Sequence, residues 1–279
     1  MTKIAILQMT SGIDPEANAA VIVNAAREAS AGGAAILFTP EMCGLLDRNR
    51  ERATPNIVTE EANSILSAAS DAARGSGIWI ALGSLAVRGE SDKWANRSLL
   101  IAPDGKIAAR YDKMHMFDVE LADGESWRES AAYRAGDQVV TAPTPMGRLG
   151  LAVCYDIRFP ALFEELGQRE CDAIAIPAAF TVSTGRDHWH MMVRARAVEA
   201  SAFVIAAAQV GLHEDGRKTY GHSLVVDPWG KVLLDMGGEE SGLGFVECDL
   251  ERIDEVRRQV PSLANRRVIS GVGPNGNAR

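Results

Sequence analysis

Gly150-Leu151-Ala152-Val153-Cys154-Tyr155-Asp156-Ile157-Arg158-Phe159-Pro160 carries an apolar run into a thiol and follows the thiol at once with polar residues. The run from Arg148 to Val153 has the length and character of a buried strand. Phe159-Pro160 before Ala161-Leu162-Phe163-Glu164-Glu165-Leu166 reads as a helix start with proline in its first turn. Cys154 is therefore expected on a strand-to-helix turn. That places its side chain at the carboxyl end of a sheet, where open α/β folds hold their ligands and backbone N–H groups face developing negative charge. A free cysteine is also among the most buried residue types. A nucleophilic reading consequently needs a base and an oxyanion partner from elsewhere in the chain.

Outward from this stretch, strands and helices alternate on both sides. Lys3 to Met9 reads as a strand, and Asp14-Pro15 caps a helix to about Ser30 that Gly32-Gly33 closes. Ala34 to Glu41 is an apolar strand ending in a carboxylate, followed by a helix over Thr59 to Ala73 and a strand over Gly77 to Gly83. Ser98–Ala102 and Lys106–Tyr111 form a hairpin around Pro103-Asp104-Gly105, which delivers Lys113. Residues 114–136 read as an irregular functional loop. Strands at 138–142 and 148–153 come next. Beyond Cys154 the order repeats in kind: helix 160–168, strand Ala173 to Pro177, helix Asp187 to Ala202, strand Phe203 to Gln209. A hairpin around Pro228-Trp229-Gly230, a strand Gly244 to Asp249 and a charged helix Leu250 to Gln259 complete the pattern. No linker divides the chain, so residues 1–267 read as one α/β (α+β layered) domain, with 268–279 a Gly/Asn-rich tail.

The formal net charge of −8 over 279 residues argues against nucleic acid or an anionic membrane as partner. A small-molecule partner fits better. Four scattered cysteines, none in a C-x-x-C pair, imply a reducing, cytoplasmic setting. No signal-peptide or membrane-spanning pattern is visible.

Glu41, Lys113 and Cys154 each lie at or just past the end of an expected strand, so their side chains are expected to converge at one sheet edge. The set is complete for acyl transfer. A thiol of reference pKa about 8.5 is mostly protonated at neutral pH, and a carboxylate has to take its proton. A lysine ammonium and the Tyr155 backbone N–H would stabilise the oxyanion, one such donor being worth about 3–4 kcal/mol. Taken singly, Glu41 also fits a solvated loop carboxylate and Lys113 a surface charge paired with Asp112 or Asp118.

Three segments together resemble the nitrilase, or carbon–nitrogen hydrolase, superfamily: Phe38-Thr39-Pro40-Glu41, Tyr111-Asp112-Lys113-Met114-His115-Met116-Phe117-Asp118 and Gly150 to Pro160. The similarity runs from Ile4 to Arg267. It implies a four-layer α-β-β-α sandwich, protomers paired into a homodimer or larger homo-oligomer, and a Glu41-Lys113-Cys154 triad working without metal or organic cofactor. A second family glutamate falls on Glu129 in Trp127-Arg128-Glu129-Ser130, where it would position the lysine and contact substrate. Cys154 to Pro160 and Gly221 to Gly230 are similar to the Nit branch, which hydrolyses side-chain amides of α-keto acids. Within it, deaminated glutathione amidase and ω-amidase activities compete, and Ala178 to Gly185 and Ile205 to Gln209 look closer to the former. The implied course is attack by Cys154, a thioester intermediate and departure of ammonia. An anionic substrate calls for a carboxylate-binding fork, with Arg158 as candidate, although Asp156 or Glu164 would equally pair with it. Phe180 and Thr184 are further pocket candidates.

Rival readings remain. A Cys/His enzyme would join Cys154 to His188 or His222, and a scaffold that has lost its chemistry would keep the same fold. His188-Trp189-His190 lacks a zinc spacing. Gly271 to Gly276 matches G-x-G-x-x-G without a preceding strand. Arg194, Arg196 and Glu199 read as a charged helix face or subunit contact.

Overall fold

The computed structural model describes residues 1–89, 91–121, 124 and 126–267; the expected tail at 268–279, with its glycine motif, lies outside the described residues. Two six-stranded sheets carry the architecture. One runs, in spatial order, Gly242–Cys248, Thr2–Gln8, Ile36–Phe38, Trp79–Arg88, Trp94–Ile101 and Ile107–Asp112. The other runs Thr141–Thr144, Gly147–Leu151, Ala173–Ala175, Phe203–Ala206, Leu224–Val226 and Val232–Asp235. Read in these orders, both sheets show the same sequence of pairings: antiparallel, parallel, parallel, antiparallel, antiparallel. The halves that looked alike in the sequence are alike in topology.

Side-chain alternation along the strands sets the layers. In Thr2–Gln8, Ile4 and Ile6 join the core shared with the second sheet. Ala5 and Leu7 on the same strand face a separate core with Ile22, Ala26, Leu66 and Ala69 from helices Pro15–Ala31 and Ser64–Ser76. Helices Pro160–Gln168 and Val182–Ala200 cover the second sheet through Phe163, Leu166, Trp189 and Val193. The result is the α-β-β-α sandwich.

Local chemistry explains where the boundaries fall. Asp14 accepts from the N–H groups of Glu16 and Ala17, with Pro15 in the first turn, so the first helix begins where the sequence places it. The helix expected from Thr59 begins at Ser64, because Asn63 accepts from Leu66 N and takes the cap, leaving Glu60–Ala62 as a separate 3₁₀ turn. The helix expected from Asp187 begins five residues earlier, at Val182. Residues 114–136, expected to be irregular, contain a short hairpin of Asp118–Glu120 with Ser126–Arg128. A hairpin of Val210–Leu212 with Lys218–Tyr220 was not anticipated.

Gly83 shows how closely the strand ends are fitted. A Cβ there would lie 2.1 Å from the Thr39 carbonyl oxygen and 2.3 Å from that of Pro40. Both belong to the segment that presents Glu41. Gly83→Ala is expected to destabilise the protein by about 2–3 kcal/mol and to displace Glu41. Thermal unfolding and an activity assay on the same preparation check this, and a variant with unchanged melting temperature would contradict the close packing described.

Candidate active site

Glu41, Lys113 and Cys154 all follow strands whose carboxyl ends lie at one edge of the sandwich, and the structure brings them together. Each is pinned by backbone. Beyond Ile36–Phe38, the Met42 N–H donates to Ser84 Oγ at 2.9 Å, Met42 has φ 52°, and Gln209 Nε2 donates to the Glu41 carbonyl at 2.8 Å. Lys113 donates from its N–H to the Asn96 carbonyl at 2.9 Å and accepts from Gly136 N at 2.8 Å. Cys154 has φ 48° and donates from its N–H to the Pro177 carbonyl at 2.8 Å. A left-handed conformation at a β-carbon residue costs of order 1–2 kcal/mol, so the elbow has to be held.

Asp156 holds it. One oxygen accepts from Val153 N at 2.9 Å and Tyr111 Oη at 2.7 Å; the other accepts from His115 N at 3.0 Å and lies 2.7 Å from His115 Nδ1. The His115 ring stacks on Phe159 at 3.6 Å. On the outer side, Arg196 Nε donates to the Ile157 carbonyl at 2.8 Å while its guanidinium lies over Phe163. Arg196, expected on a charged helix face, is therefore a buried brace for the elbow.

The side chains form one connected cluster. Lys113 Nζ lies 3.0 Å from Glu41 Oε1 and 2.8 Å from Glu129 Oε2, and it is almost wholly buried. Asn96 Nδ2 donates to both carboxylates, at 2.9 Å to Glu41 and 3.1 Å to Glu129. Glu129 also accepts from Phe117 N at 2.6 Å, and Glu41 Oε2 accepts from Ala179 N at 2.9 Å. The Cys154 thiol lies close enough to the Glu41 carboxylate for each to shift the other's proton affinity. Asn96 and Ala179 were missed by the sequence reading. Asn96 lies in Trp94–Ile101, which starts earlier than the strand expected from Ser98, and reaches the site by cross-strand register.

Burial opposes every charge here, and the partners decide the outcome. Burial raises the Glu41 carboxyl, but the Lys113 charge, the nearby Cys154 thiol and hydrogen bonds from Lys113 and Asn96 outweigh it and hold Glu41 below the usual carboxylate range. Burial lowers Lys113, yet Glu129 and Glu41 raise it well above an ordinary ammonium. Burial, then the Glu41 charge, pushes the Cys154 thiol far up. These opposite shifts favour a neutral thiol beside an ionised carboxylate.

A cavity of about 300 Å³ opens over the cluster, lined by Glu41, Lys113, Glu129, Cys154 and Tyr155, and by Phe180 and Thr184. Arg158 is placed differently from expectation. It pairs with neither Asp156 nor Glu164 and is not among the lining residues. Its guanidinium lies 5.9 Å from the Tyr155 ring and 5.5 Å from the Phe180 ring, with Nη2 3.2 Å from His188 Nδ1. His188 is thus occupied by Arg158, and His222 by Asp235 at 2.8 Å, so neither serves Cys154. His190 shares that Asp235 carboxylate at 2.9 Å, a grouping that the spacing within 188–190 did not reveal.

The carbon-nitrogen hydrolase family profile matches residues 3–258. The chain belongs to the carbon–nitrogen hydrolase family. A Synechocystis protein named deaminated glutathione amidase is 46% identical over 182 residues, which are 64% of this hydrolase and 66% of that relative. A Yersinia enterocolitica protein of the same name is 37% identical over 97% of this chain and 95% of its own. The solved Caenorhabditis elegans NitFhit protein is 36% identical, with a TM-score of 0.87 over 95% of this hydrolase, which spans 65% of that longer chain. As a carbon–nitrogen hydrolase this is an enzyme acting on non-peptide amide bonds of small molecules. Among the described residues, no helix is long and apolar enough to cross a membrane.

Lys113→Met leaves the buried Glu41 and the part-buried Glu129 without their shared cation, which costs about 3–5 kcal/mol at neutral pH. At least one carboxyl of the pair is then raised in the folded state above its unfolded value of about 4.3. A raised pKa gives stability that is fully present below the unfolded value and lost as pH rises. The variant's deficit against wild type is therefore expected to be largest near pH 7–8 and to shrink towards pH 4. Denaturant unfolding at several pH values measures it, and a deficit independent of pH contradicts the pairing.

Proposed function

We propose that the enzyme hydrolyses the γ-amide of deaminated glutathione, with Cys154 as nucleophile, Glu41 as base and acid, and Lys113 with the Tyr155 N–H as oxyanion donors. The convergence of Cys154 with the Lys113-paired Glu41 carboxylate in the lining of one cavity carries the reading. Relatives bearing the name at 46% and 37% identity support the substrate.

Glu41 takes the thiol proton as Sγ attacks the amide carbon, and the oxyanion forms against Lys113 and Tyr155 N–H. Glu41 returns the proton to the departing nitrogen, the C–N bond breaks and a thioester remains. Water, deprotonated by Glu41, then attacks the thioester, releasing the α-keto diacid and the thiol. In deaminated glutathione the scissile nitrogen carries cysteinylglycine. The leaving group is therefore that dipeptide amine, whereas ammonia, the product expected from the sequence, is the product from α-ketoglutaramate.

Glu129, through its contacts with Lys113 and Asn96, would fix the ammonium in place. Phe180 and Thr184 would line the acyl side of the cavity, with Arg158 stacked behind Phe180 and Tyr155 as a source of positive potential. The proposal includes a homo-oligomer, in keeping with exposed Met191, Val198 and Trp229. It also includes a cytoplasmic setting, in keeping with four free cysteines.

Release of cysteinylglycine from deaminated glutathione is measured beside ammonia from α-ketoglutaramate, with Cys154→Ala as blank. Preference for the first substrate is expected, with Glu41→Gln lowering turnover about 10³-fold or more. Preference for α-ketoglutaramate would replace the substrate assignment and keep the triad. Near-normal turnover by Glu41→Gln would refute the mechanism.

A further inference from the structure

Away from the catalytic cluster, the cavity lining holds five cationic side chains, Arg48, Arg50, Arg128, Arg217 and Lys218, against one carboxylate, Asp47. In a chain of net charge −8 this is a concentrated positive wall. Most of these groups have business elsewhere. Asp47 is bonded to Arg52 at 2.6 Å, Arg128 to Glu120 at 2.8 Å, and Arg50 lies over Trp94 at 5.1 Å. Arg48 and Arg217 differ: both guanidiniums lie over the Trp127 ring, at 5.4 Å and 4.5 Å.

Asp215, whose side chain is fully buried, fixes both arginine-bearing segments. It accepts from Arg48 N at 2.8 Å and Arg217 N at 2.9 Å, and it lies 3.2 Å from Arg217 Nη2. That single carboxylate is the only ion-pair partner of Arg217 among the described residues, and Arg48 has none. The buried Nε of Arg217 has no hydrogen-bond partner. A guanidinium lying over an aromatic ring keeps N–H groups directed sideways, away from the ring face, where they can donate to a carboxylate. Desolvation without full pairing also lowers Arg217 from the ordinary guanidinium range, a state that a bound anion relieves.

We propose that Arg217 and Arg48, aligned on Trp127 by Asp215, form a subsite for the carboxylate at the leaving-group end of the substrate, the glycine end of deaminated glutathione. This rests on the proposed function. Glu41 must protonate the departing nitrogen, so the leaving group lies on the Glu41 side of the cavity, and Arg217 is near enough to Glu41 to feel its charge. Arg158 lies instead behind Tyr155 and Phe180. The substrate carries a carboxylate at each end, and the two cationic groups lie apart, Arg217 in the cavity lining and Arg158 behind Tyr155 and Phe180. The wall thus selects for chain length and terminal charge, and α-ketoglutaramate, with no second carboxylate, cannot use it.

The test is calorimetric titration of the Cys154→Ala protein with N-acetyl-S-methylcysteinylglycine and with its C-terminal carboxamide. The acid is expected to bind about tenfold or more tightly than the carboxamide. Arg217→Met and Arg48→Met, each added to Cys154→Ala, should erase most of that preference, and Arg217→Lys should restore part of it. Arg48 is exposed, so its variant remains informative should Arg217→Met fail to fold. Equal binding of acid and carboxamide, or a preference surviving both methionine variants, overturns the proposal. Failure of the wild-type enzyme to cleave deaminated glutathione would overturn the proposed function instead, and the acid-to-carboxamide ratio would still decide whether the subsite exists.

Discussion

A buried ammonium between two carboxylates is the constraint on which the site depends. Lys113 is withdrawn from water and held by Glu41 and Glu129, with Asn96 donating to both acids. Desolvating any one of these groups alone is costly, and together they are stable only in a narrow geometry. That requirement reaches back through the chain. The Lys113 backbone must pair with Asn96, the Glu41 turn must be held by Ser84 and Gln209, and the Glu129 turn must close over Phe117. The thiol is the least constrained partner electrostatically, since it rests neutral. Its constraint is conformational, and Asp156 supplies the anchoring that its left-handed backbone needs.

The repeated sheet topology explains why three residues far apart in sequence meet. Parallel strands in the centre of each sheet send their carboxyl ends to one edge. Glu41 comes from the first sheet's central strand and Cys154 from a parallel strand of the second, and Ala179 follows the strand beside it. Lys113 leaves an outer strand of the first sheet that runs in the same direction as the central ones. The sandwich faces these ends towards each other across the cavity.

Glu41, Lys113 and Cys154 were legible because each ends a recognisable strand, and helix starts were legible where Asp14-Pro15 and Phe159-Pro160 mark them. Asn96 was not legible: Trp94-Ala95-Asn96-Arg97 has mixed composition, and its carboxamide meets the acids through pairing across strands. The hairpin at 210–220 was missed because its strands are three residues each around a polar turn, too short for a period-two pattern. With it went Arg217. Arg158 shows another limit. Four residues beyond the nucleophile is a distance along the chain, and after the 3₁₀ turn Cys154–Arg158 the side chain faces His188 and Met192.

The first sheet is completed by Gly242–Cys248, which pairs with Thr2–Gln8 along its whole length. During synthesis the amino-terminal half therefore emerges with a strand edge that has no neighbour until residues 242–248 have been made. An open apolar edge of this kind invites pairing with other chains. Until that late strand arrives, this edge of Thr2–Gln8 stays open, although the other five strands of the sheet lie beside one another in the order in which they are made.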